Sequence, residues 1–539
     1  MAATGNTANW KDQETLVAGL LDPAVYADAG GRVEKLETHI SYLFLAGAHV
    51  YKVKKAVDLG FLDFSTLERR HFYCLEELRL NRRLAPALYL DVVPITGSYE
   101  HPRLGGPGTP IEFAVKMRRF SQDDLLDARL ARDQLTSSHI DRLAEKIAAF
   151  HGSATVAASE DPHGSSGAVR TPVLENFLQI RRTPVAMSNA ADLDELELWT
   201  TQQCDVLEPT FRARKTGGFV RECHGDFHLG NVALVNGDVT VFDCLEFNAN
   251  LRWIDVQSEA AFMVMDLSAR NRPDLGQRFL SRYLEFTGDY AGLAVFRFYS
   301  VYRAMVRAKV HALRAEQPHV DAQQRAAALS KSRNYLDLAK RLSRPKKPAL
   351  VITHGLSGSG KTTHTERLLE ILPAVRVRSD IERKRLKGLP ALAHSDSAVR
   401  EGLYAPAATD LTYARLAELA TDSVRAGFIA IVDAAFLERE RRNAFRRIAD
   451  SLAVAFLILE FSAPDTILRA RVAARQQTGA DASEANIAVL EYQLQTIEPI
   501  QADEKIFVVT IDARQPPSDA VCASIRQRLE TATTQANGE

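Results

Sequence analysis

A chain of 539 residues exceeds what one hydrophobic core organises, so two or three domains are expected. Its 46% hydrophobic and 25% charged residues are those of a soluble globular protein, and its net charge of −1 excludes a global field that would draw it onto nucleic acid or an anionic membrane. The five scattered cysteines, Cys74, Cys204, Cys223, Cys244 and Cys522, form no C-x-x-C pair and argue against a disulfide framework or a structural zinc. With no leader-like N-terminus and no apolar run of membrane-spanning length, a cytoplasmic location is expected.

The first thirty residues predict a short amphipathic helix with Leu16, Leu20 and Leu21 on one side, stopped near Pro23. From Lys35 to Lys55 the pattern turns to strands, Ile40, Tyr42, Phe44 and then Val50, Tyr51, Val53, with a hairpin turn at Gly47. Ser65 with Glu68 reads as a capping box, opening a helix that runs through Leu75 and Leu78 to a stop at Pro86. Strands over Leu88–Ile95 and Ile111–Met117 follow, then a helix over 139–151 and a Ser/Gly/Ala-rich surface loop from Gly152 to Thr171. Two strands carrying lysines, a helix carrying acids and further strands make the order of a protein-kinase-like small lobe.

A helical region to about Arg214 leads into Cys223-His224-Gly225-Asp226-Phe227-His228-Leu229-Gly230-Asn231, with Asp243 twelve residues later at a strand end. Kinase-like phosphoryl transfer places one Asp beside the acceptor hydroxyl, an Asn five residues on as a magnesium ligand, and a second Asp on the metal bridging the phosphates. Asp226, Asn231 and Asp243 have that spacing. Lys52 would pair with the α- and β-phosphates and Glu77 would hold that lysine, with Lys54 and Glu76 as the rivals. His224 and His228 read as scaffold residues around a buried turn, and the acids and amide suit magnesium better than zinc. Residues 255–341 are almost wholly helical; Tyr302, Arg303, Arg307 and Lys309 on the late helix would line a substrate cleft or anchor an inter-domain contact.

Arg344-Pro345-Lys346-Lys347-Pro348 breaks that pattern and divides the chain into 1–345 and 346–539. Beyond it, strands alternate with helices as in a mainly parallel α/β sheet. An apolar run, Ala349 to Ile352, precedes Gly355-Leu356-Ser357-Gly358-Ser359-Gly360-Lys361-Thr362-Thr363, and a helix-compatible segment follows to Leu372. This is the strand, loop and helix order of a nucleotide-binding P-loop. The loop amides would face the phosphates of ATP, Lys361 would reach the β- and γ-phosphates, and the Thr362 hydroxyl would ligate Mg2+. A buried strand from Phe428 to Val432 ends in Asp433, which would hold magnesium or else cap the following turn. Pro464 and Asp465 start a helix on which Arg471 and Arg475 share a face, as lid arginines would; Arg475 precedes a turn at Gly479, and Arg469 points elsewhere.

HGDFHLGN resembles the signature loop of the aminoglycoside phosphotransferase family over roughly residues 30–340. With FLDFSTLERR, RLNRRLAP, YRAMVRAKV and HGLSGSGKTT, nearly the whole chain resembles bacterial bifunctional aminoglycoside-phosphotransferase/ATP-binding fusion proteins. The resemblance implies an α+β protein-kinase-like bilobal domain followed by an α/β P-loop domain, with Asp226 as base, Asn231 and Asp243 on the metal, and Lys52 on the nucleotide. The second half also resembles small P-loop kinases of the gluconate-kinase, polynucleotide-kinase and zeta-toxin type. That implies Asp380, after the strand Ala374–Arg378, as the base toward a small-molecule hydroxyl, and Arg378 and Arg383 as substrate or phosphate contacts. The run from Arg376 to Lys387 carries six basic and two acidic residues, and Lys384, Arg385 and Lys387 read as a solvated face. Cys-Leu-Glu-Phe-Asn after Asp243 departs from the resistance enzymes, which leaves an antibiotic acceptor without support. The rival expectations are an ATP-binding regulatory protein with one silent half and a polynucleotide 5′-hydroxyl kinase. Near-zero net charge and the lack of interleaved aromatics count against the second.

Overall fold

The computed structural model describes residues 10–27, 30–58, 60, 62–317, 320–391, 393, 405–478, 483–515 and 518–536. The expected turn at Gly479 lies outside the described residues. Two compact units divide the chain: Met1–His139, Ser153–Ala168 and Arg214–Met263 form the first, and Ile140–Gly152, Val169–Ala213 and Val264–Glu539 the second.

The chain opens with α1 (Trp10–Gly19), β1 (Val33–Glu37), β2 (Ser41–Ala46), β3 (His49–Lys54), α2 (Leu67–Asn81), β4 (Tyr89–Gly97), β5 (Pro102–Leu104), β6 (Glu112–Arg118) and α3 (Leu126–Ala131). It continues with α4 (Ser137–Ser153), α5 (Ser166–Arg181), α6 (Val185–Ser188), α7 (Ala190–Thr216), β7 (Val220–Glu222), β8 (Val232–Val235), β9 (Asp238–Val241), α8 (Ala249–Arg252), β10 (Trp253–Asp255) and α9 (Val256–Ala269). The helices α10 (Pro273–Thr287), α11 (Leu293–Ala315) and α12 (Ala322–Ser343) complete the first half of the sequence.

In the first unit an antiparallel sheet of order β1-β2-β3-β6-β4-β5 is covered on both faces. The hairpin between β2 and β3 turns at Gly47, whose φ of +55° suits glycine. Side chains alternate along β3. Tyr51 and Val53 therefore pack with Leu16 and Val17 of α1 and with Leu20 just beyond it in one core, while Lys52 and Lys54 face the other way, toward α2. On that second face Cys74 and Leu78 of α2 pack against Tyr89, Val115 and Met117. Leu21 departs from the expected apolar stripe and is 40% exposed.

Two local expectations are corrected. The cap of α2 is Thr66, whose hydroxyl accepts from the Arg69 amide, because Ser65 is engaged by the Asp63 carboxylate at 2.6 Å. The surface loop expected up to Thr171 ends earlier: α5 begins at Ser166 and carries Pro172 inside it, at the cost of one intrahelical hydrogen bond.

The second half of the sequence contains β11 (Ala349–His354), α13 (Lys361–Ile371), β12 (Ala374–Arg378), α14 (Ser379–Arg385), α15 (Pro406–Arg425), β13 (Ile429–Asp433), α16 (Arg439–Ser451), β14 (Ala455–Ser462), α17 (Asp465–Thr478), α18 (Ile487–Thr496), β15 (Val508–Asp512) and α19 (Asp519–Ala536). Among the described residues its five strands are all parallel, in the order β12-β13-β11-β14-β15. Every residue of β11, β12 and β13 is buried; β11 and β13 therefore open as apolar runs, whereas β12 carries two buried arginines, Arg376 and Arg378. The chain reverses direction across the sheet at β11, whose neighbours are β13 and β14, and the strand ends there form the crevice in which open α/β sheets bind ligands.

Candidate active sites

In the first unit, His224 is fully buried and acts as a scaffold. Its Nε2 lies 2.9 Å from the Phe242 carbonyl, and its Nδ1 accepts the Asp226 amide at 3.3 Å. Burial pulls its pKa down, so it stays neutral and keeps both bonds. Gly225 takes φ +89°, and a Cβ there would lie 2.9 Å from the Leu251 carbonyl, so the turn demands glycine. Asn231 Nδ2 donates to the Asp226 carbonyl at 2.9 Å and to Asp226 Oδ2 at 3.0 Å, and His228 Nε2 stands 3.4 Å from the same oxygen. The sequence spacing thus becomes one cluster of Asp226, His228 and Asn231.

Asp243 follows β9 in the left-handed region, φ +63°, with its amide donating to the Tyr89 hydroxyl at 3.1 Å. Lys52 Nζ joins Asp243 Oδ1, at 2.7 Å, to Glu77 Oε1, at 2.8 Å. Lys54 Nζ takes the other Glu77 oxygen at 2.7 Å and also binds Glu246. Burial opposes ionisation of Glu77, but the two lysines overcome it and hold its pKa at about 2. The Asp243 side chain is 46% exposed at the open end of this chain of charges, whereas Lys54 and Glu77 are sealed. Glu76 turns away to Arg79 and Arg252. Glu246, which lies in the Cys-Leu-Glu-Phe-Asn segment, carried no signal in the sequence beyond its departure from pattern.

In the second unit a cavity of about 430 Å3 is lined by Lys361, Thr362, Thr363, Asp380, Arg383, Asp433, Arg471 and Arg475, together with Ser357, Gly358 and Gly360. Gly355, Gly358 and Gly360 have φ of +152°, +80° and +77°. Cβ atoms at the first two would meet the Phe461 and Leu468 carbonyls at 2.7 Å. Lys361 Nζ folds back onto the Gly355 and Leu356 carbonyls, each at 2.8 Å, with the Ser359 hydroxyl at 3.5 Å. Burial lowers the Lys361 pKa to about 8 against the opposing pull of Asp433 and Asp380. The Thr362 hydroxyl donates to Asp433 Oδ2 at 2.9 Å. These are hard oxygen donors at the mouth of a helix, a set that fits magnesium.

Asp380 opens α14, 3.5 Å from Arg383. Arg471 Nη2 donates to the Ala513 carbonyl at 2.9 Å and Arg475 Nη2 to the Ala485 carbonyl at 2.8 Å, while Arg469 pairs on the surface with Glu491 at 3.0 Å. Sequence reasoning missed the opposite wall. Gln493 of α18 accepts the Ser357 amide at 2.8 Å, and Arg441 lies 4.2 Å from the Tyr413 ring centroid. No local motif announces contacts between residues so far apart in sequence.

The basic run of α14 is not a solvated face throughout. Lys384 is 2% exposed and pairs with Glu484 at 3.1 Å, Arg385 donates to the Glu285 carbonyl at 2.6 Å, and only Lys387 of the three is exposed. One helical turn presents residues to both sides, so a charge run in sequence says nothing of which side is buried. Arg376 is 1% exposed: it pairs with Glu285 of α10 at 2.8 Å and donates to the Thr362 carbonyl at 2.9 Å. Arg378 is buried at the end of β12 and does not line the cavity. Arg303 is buried beside Tyr302, Arg307 lies over Tyr335, and neither lines the P-loop cavity.

Among the described residues no helix is long and apolar enough to cross a membrane. Over 458 residues the chain is 29% identical to an uncharacterized protein of Mycobacterium tuberculosis and to one of Mycobacterium bovis, covering 85% of this chain and 89% of each of those. Similar solved structures include an amicoumacin kinase (13% identity, 60% of this chain and 93% of that one, TM-score 0.39) and a gluconokinase from Sinorhizobium meliloti (20%, 35% and 95%, TM-score 0.24). Residues 67–298 match the model of the phosphotransferase enzyme family, and residues 350–500 match that of a AAA domain. Kinase families of this sort imply ATP and usually magnesium. The chain therefore joins a kinase-like domain that matches the phosphotransferase enzyme family to a P-loop domain that matches the AAA model, and its activity is that of a phosphotransferase.

Proposed function

We propose that both domains, 1–345 and 346–539, transfer the γ-phosphoryl group of ATP to a hydroxyl of a small molecule, in the cytoplasm. What chiefly supports this reading is that Lys361, the Thr362–Asp433 pair, Asp380, Arg471 and Arg475 line one cavity. In the second domain Gly355 to Gly360 give their amides to the phosphates, and Lys361 leaves the loop carbonyls for the β- and γ-oxygens. Thr362 and Asp433 hold magnesium, Asp380 takes the acceptor proton, and Arg471 and Arg475 neutralise charge on the moving phosphoryl group. In the first domain Lys52, held by Glu77, meets the α- and β-phosphates. Asp226 accepts the acceptor proton, with its orientation set by Asn231 and His228. Asn231 and Asp243 hold magnesium. When bound, the metal supplies positive charge to the phosphate oxygens at both sites.

The test is transfer from labelled ATP to a panel of hydroxylated metabolites by the full chain. Lys361→Ala should remove one set of acceptors, and Asp226→Asn should lower transfer to the other by about two orders of magnitude while ATP binding survives. Near-normal transfer to every acceptor by a folded Lys361→Ala protein would falsify the second site. Loss of ATP binding in Asp226→Asn, with transfer falling only in proportion, would make Asp226 a ligand-holding residue instead of a base.

A further inference from the structure

The second unit holds a cavity that the phosphotransfer reading does not use. Its volume is about 580 Å3, and it is lined by residues of α9 to α12, the 344–348 linker, the C-terminal end of α13 and the approach to β13. α13 begins at Lys361 and β13 ends at Asp433, so the cavity lies at the edge of the parallel sheet opposite the P-loop. An eleven-residue helix separates the two by about 16 Å. It is therefore not an extension of the nucleotide cavity.

Three cations reach this space: Arg297 of α11, Arg341 of α12 and Lys346 of the linker. Arg297 stands 5.8 Å from the Trp199 ring centroid and Lys346 is 5.4 Å from that of Phe428. Among the described residues none of the three meets a carboxylate. The two acids in the lining are already engaged, Asp274 by Arg272 at 2.7 Å and Glu370 by Arg278 at 3.1 Å. Burial lowers the pKa of Arg297 and of Lys346, and the charge of Arg297 lowers that of Lys346 further. Like charges brought together in a half-enclosed space without a counter-ion are relieved by an anion. Phe296, Leu372 and Phe428 supply apolar wall beside them. A volume in the range of about 300–1,000 Å3 accommodates a small metabolite.

We propose that this cavity binds a phosphomonoester with a small neutral body, its phosphate between Arg297, Lys346 and Arg341 and its body against Phe296, Leu372 and Phe428. A dianionic phosphate, carrying about −1.5 to −2 charges at neutral pH, matches a cluster of cations better than a single carboxylate does. The test is calorimetry on the full chain with both nucleotide sites saturated by a non-hydrolysable ATP analogue and magnesium. The probes are glucose 6-phosphate, glucose and inorganic phosphate. Saturable binding of glucose 6-phosphate is expected, tighter than that of either fragment. Arg297→Gln should weaken it about tenfold or more, as loss of a charged hydrogen bond does. Lys346→Gln, in the linker outside every helix and strand, should weaken it several-fold. No saturation by glucose 6-phosphate in the millimolar range, or binding that both variants leave unchanged, would overturn the site. Equal affinity for inorganic phosphate would overturn the part assigned to the apolar wall.

Discussion

Lys361 carries the sharpest pH dependence available at the residue scale. Below about 8 the free side chain is charged, and above it burial favours the neutral form. Polyphosphate binding requires the charged form, so binding must take up a proton above that pH. Nucleotide affinity at the second site should be flat below pH 8 and then fall by up to about tenfold per pH unit. Calorimetry in buffers of different ionisation enthalpy reads the proton directly; affinity that stays flat well into the alkaline range sinks the assignment. The two lysines of β3 should separate by phenotype. Lys52→Met removes the charge next to the open Asp243, so the protein should fold and bind acceptor but lose first-site transfer by about 100-fold or more. Lys54→Met leaves Glu77 and Glu246 short of a cation in a sealed space and should cost roughly 3–5 kcal/mol of stability. Thermal unfolding of the two variants checks this, and equal losses of stability would contradict it.

At the scale of elements, the P-loop is held between two neighbours that the motif does not mention. Gly358 packs so closely on α17 that a Cβ would sit 2.7 Å from the Leu468 carbonyl, and α17 also carries Arg471 and Arg475. Gly358→Ala should therefore displace the lid arginines as well as strain the loop, lowering kcat and raising KM together, by about 100-fold in kcat/KM. A change confined to KM would show that α17 is indifferent to the loop. Beneath the loop, Arg376 of β12 ties the Thr362 carbonyl to Glu285 of α10. Glu285→Gln keeps the shape and removes the balancing charge, with Glu366 at 3.5 Å compensating in part. A loss of about 3 kcal/mol is expected, at the low end for a broken buried pair, and differential scanning calorimetry would read it.

For the whole molecule, the break at 344–348 and the compact units fall in different places. The helices α10 to α12 precede the break, yet they belong to the unit that contains the P-loop domain. Gln277 donates to the Ala374 carbonyl at 2.9 Å and Tyr290 to the Arg376 carbonyl at 2.8 Å, so β12, an edge strand, is fastened to α10 and to the connection between α10 and α11. Residues 346–539 expressed alone should melt well below the full chain, and a fragment extended back to 264 should recover most of the difference; equal melting temperatures would dispose of the idea. The residues that bond within a few positions of each other were legible in the sequence. The glycine loop needs positive φ at set places, the His224-to-Asn231 turn closes on its own side chains, and the buried strands β11 and β13 show as apolar runs. Three features were not legible: which β3 lysine meets Asp243, the burial of Lys384 and Arg376, and the joining of α10 to the P-loop domain. Each depends on a partner far along the chain, Glu246, Glu484 or Glu285, and a charged side chain looks the same in sequence whether its partner is water or a carboxylate that packing has sealed beside it. Backbone conformation is a local requirement written in residue type, whereas the pairing of buried charges is decided only when desolvation makes each of them need the other.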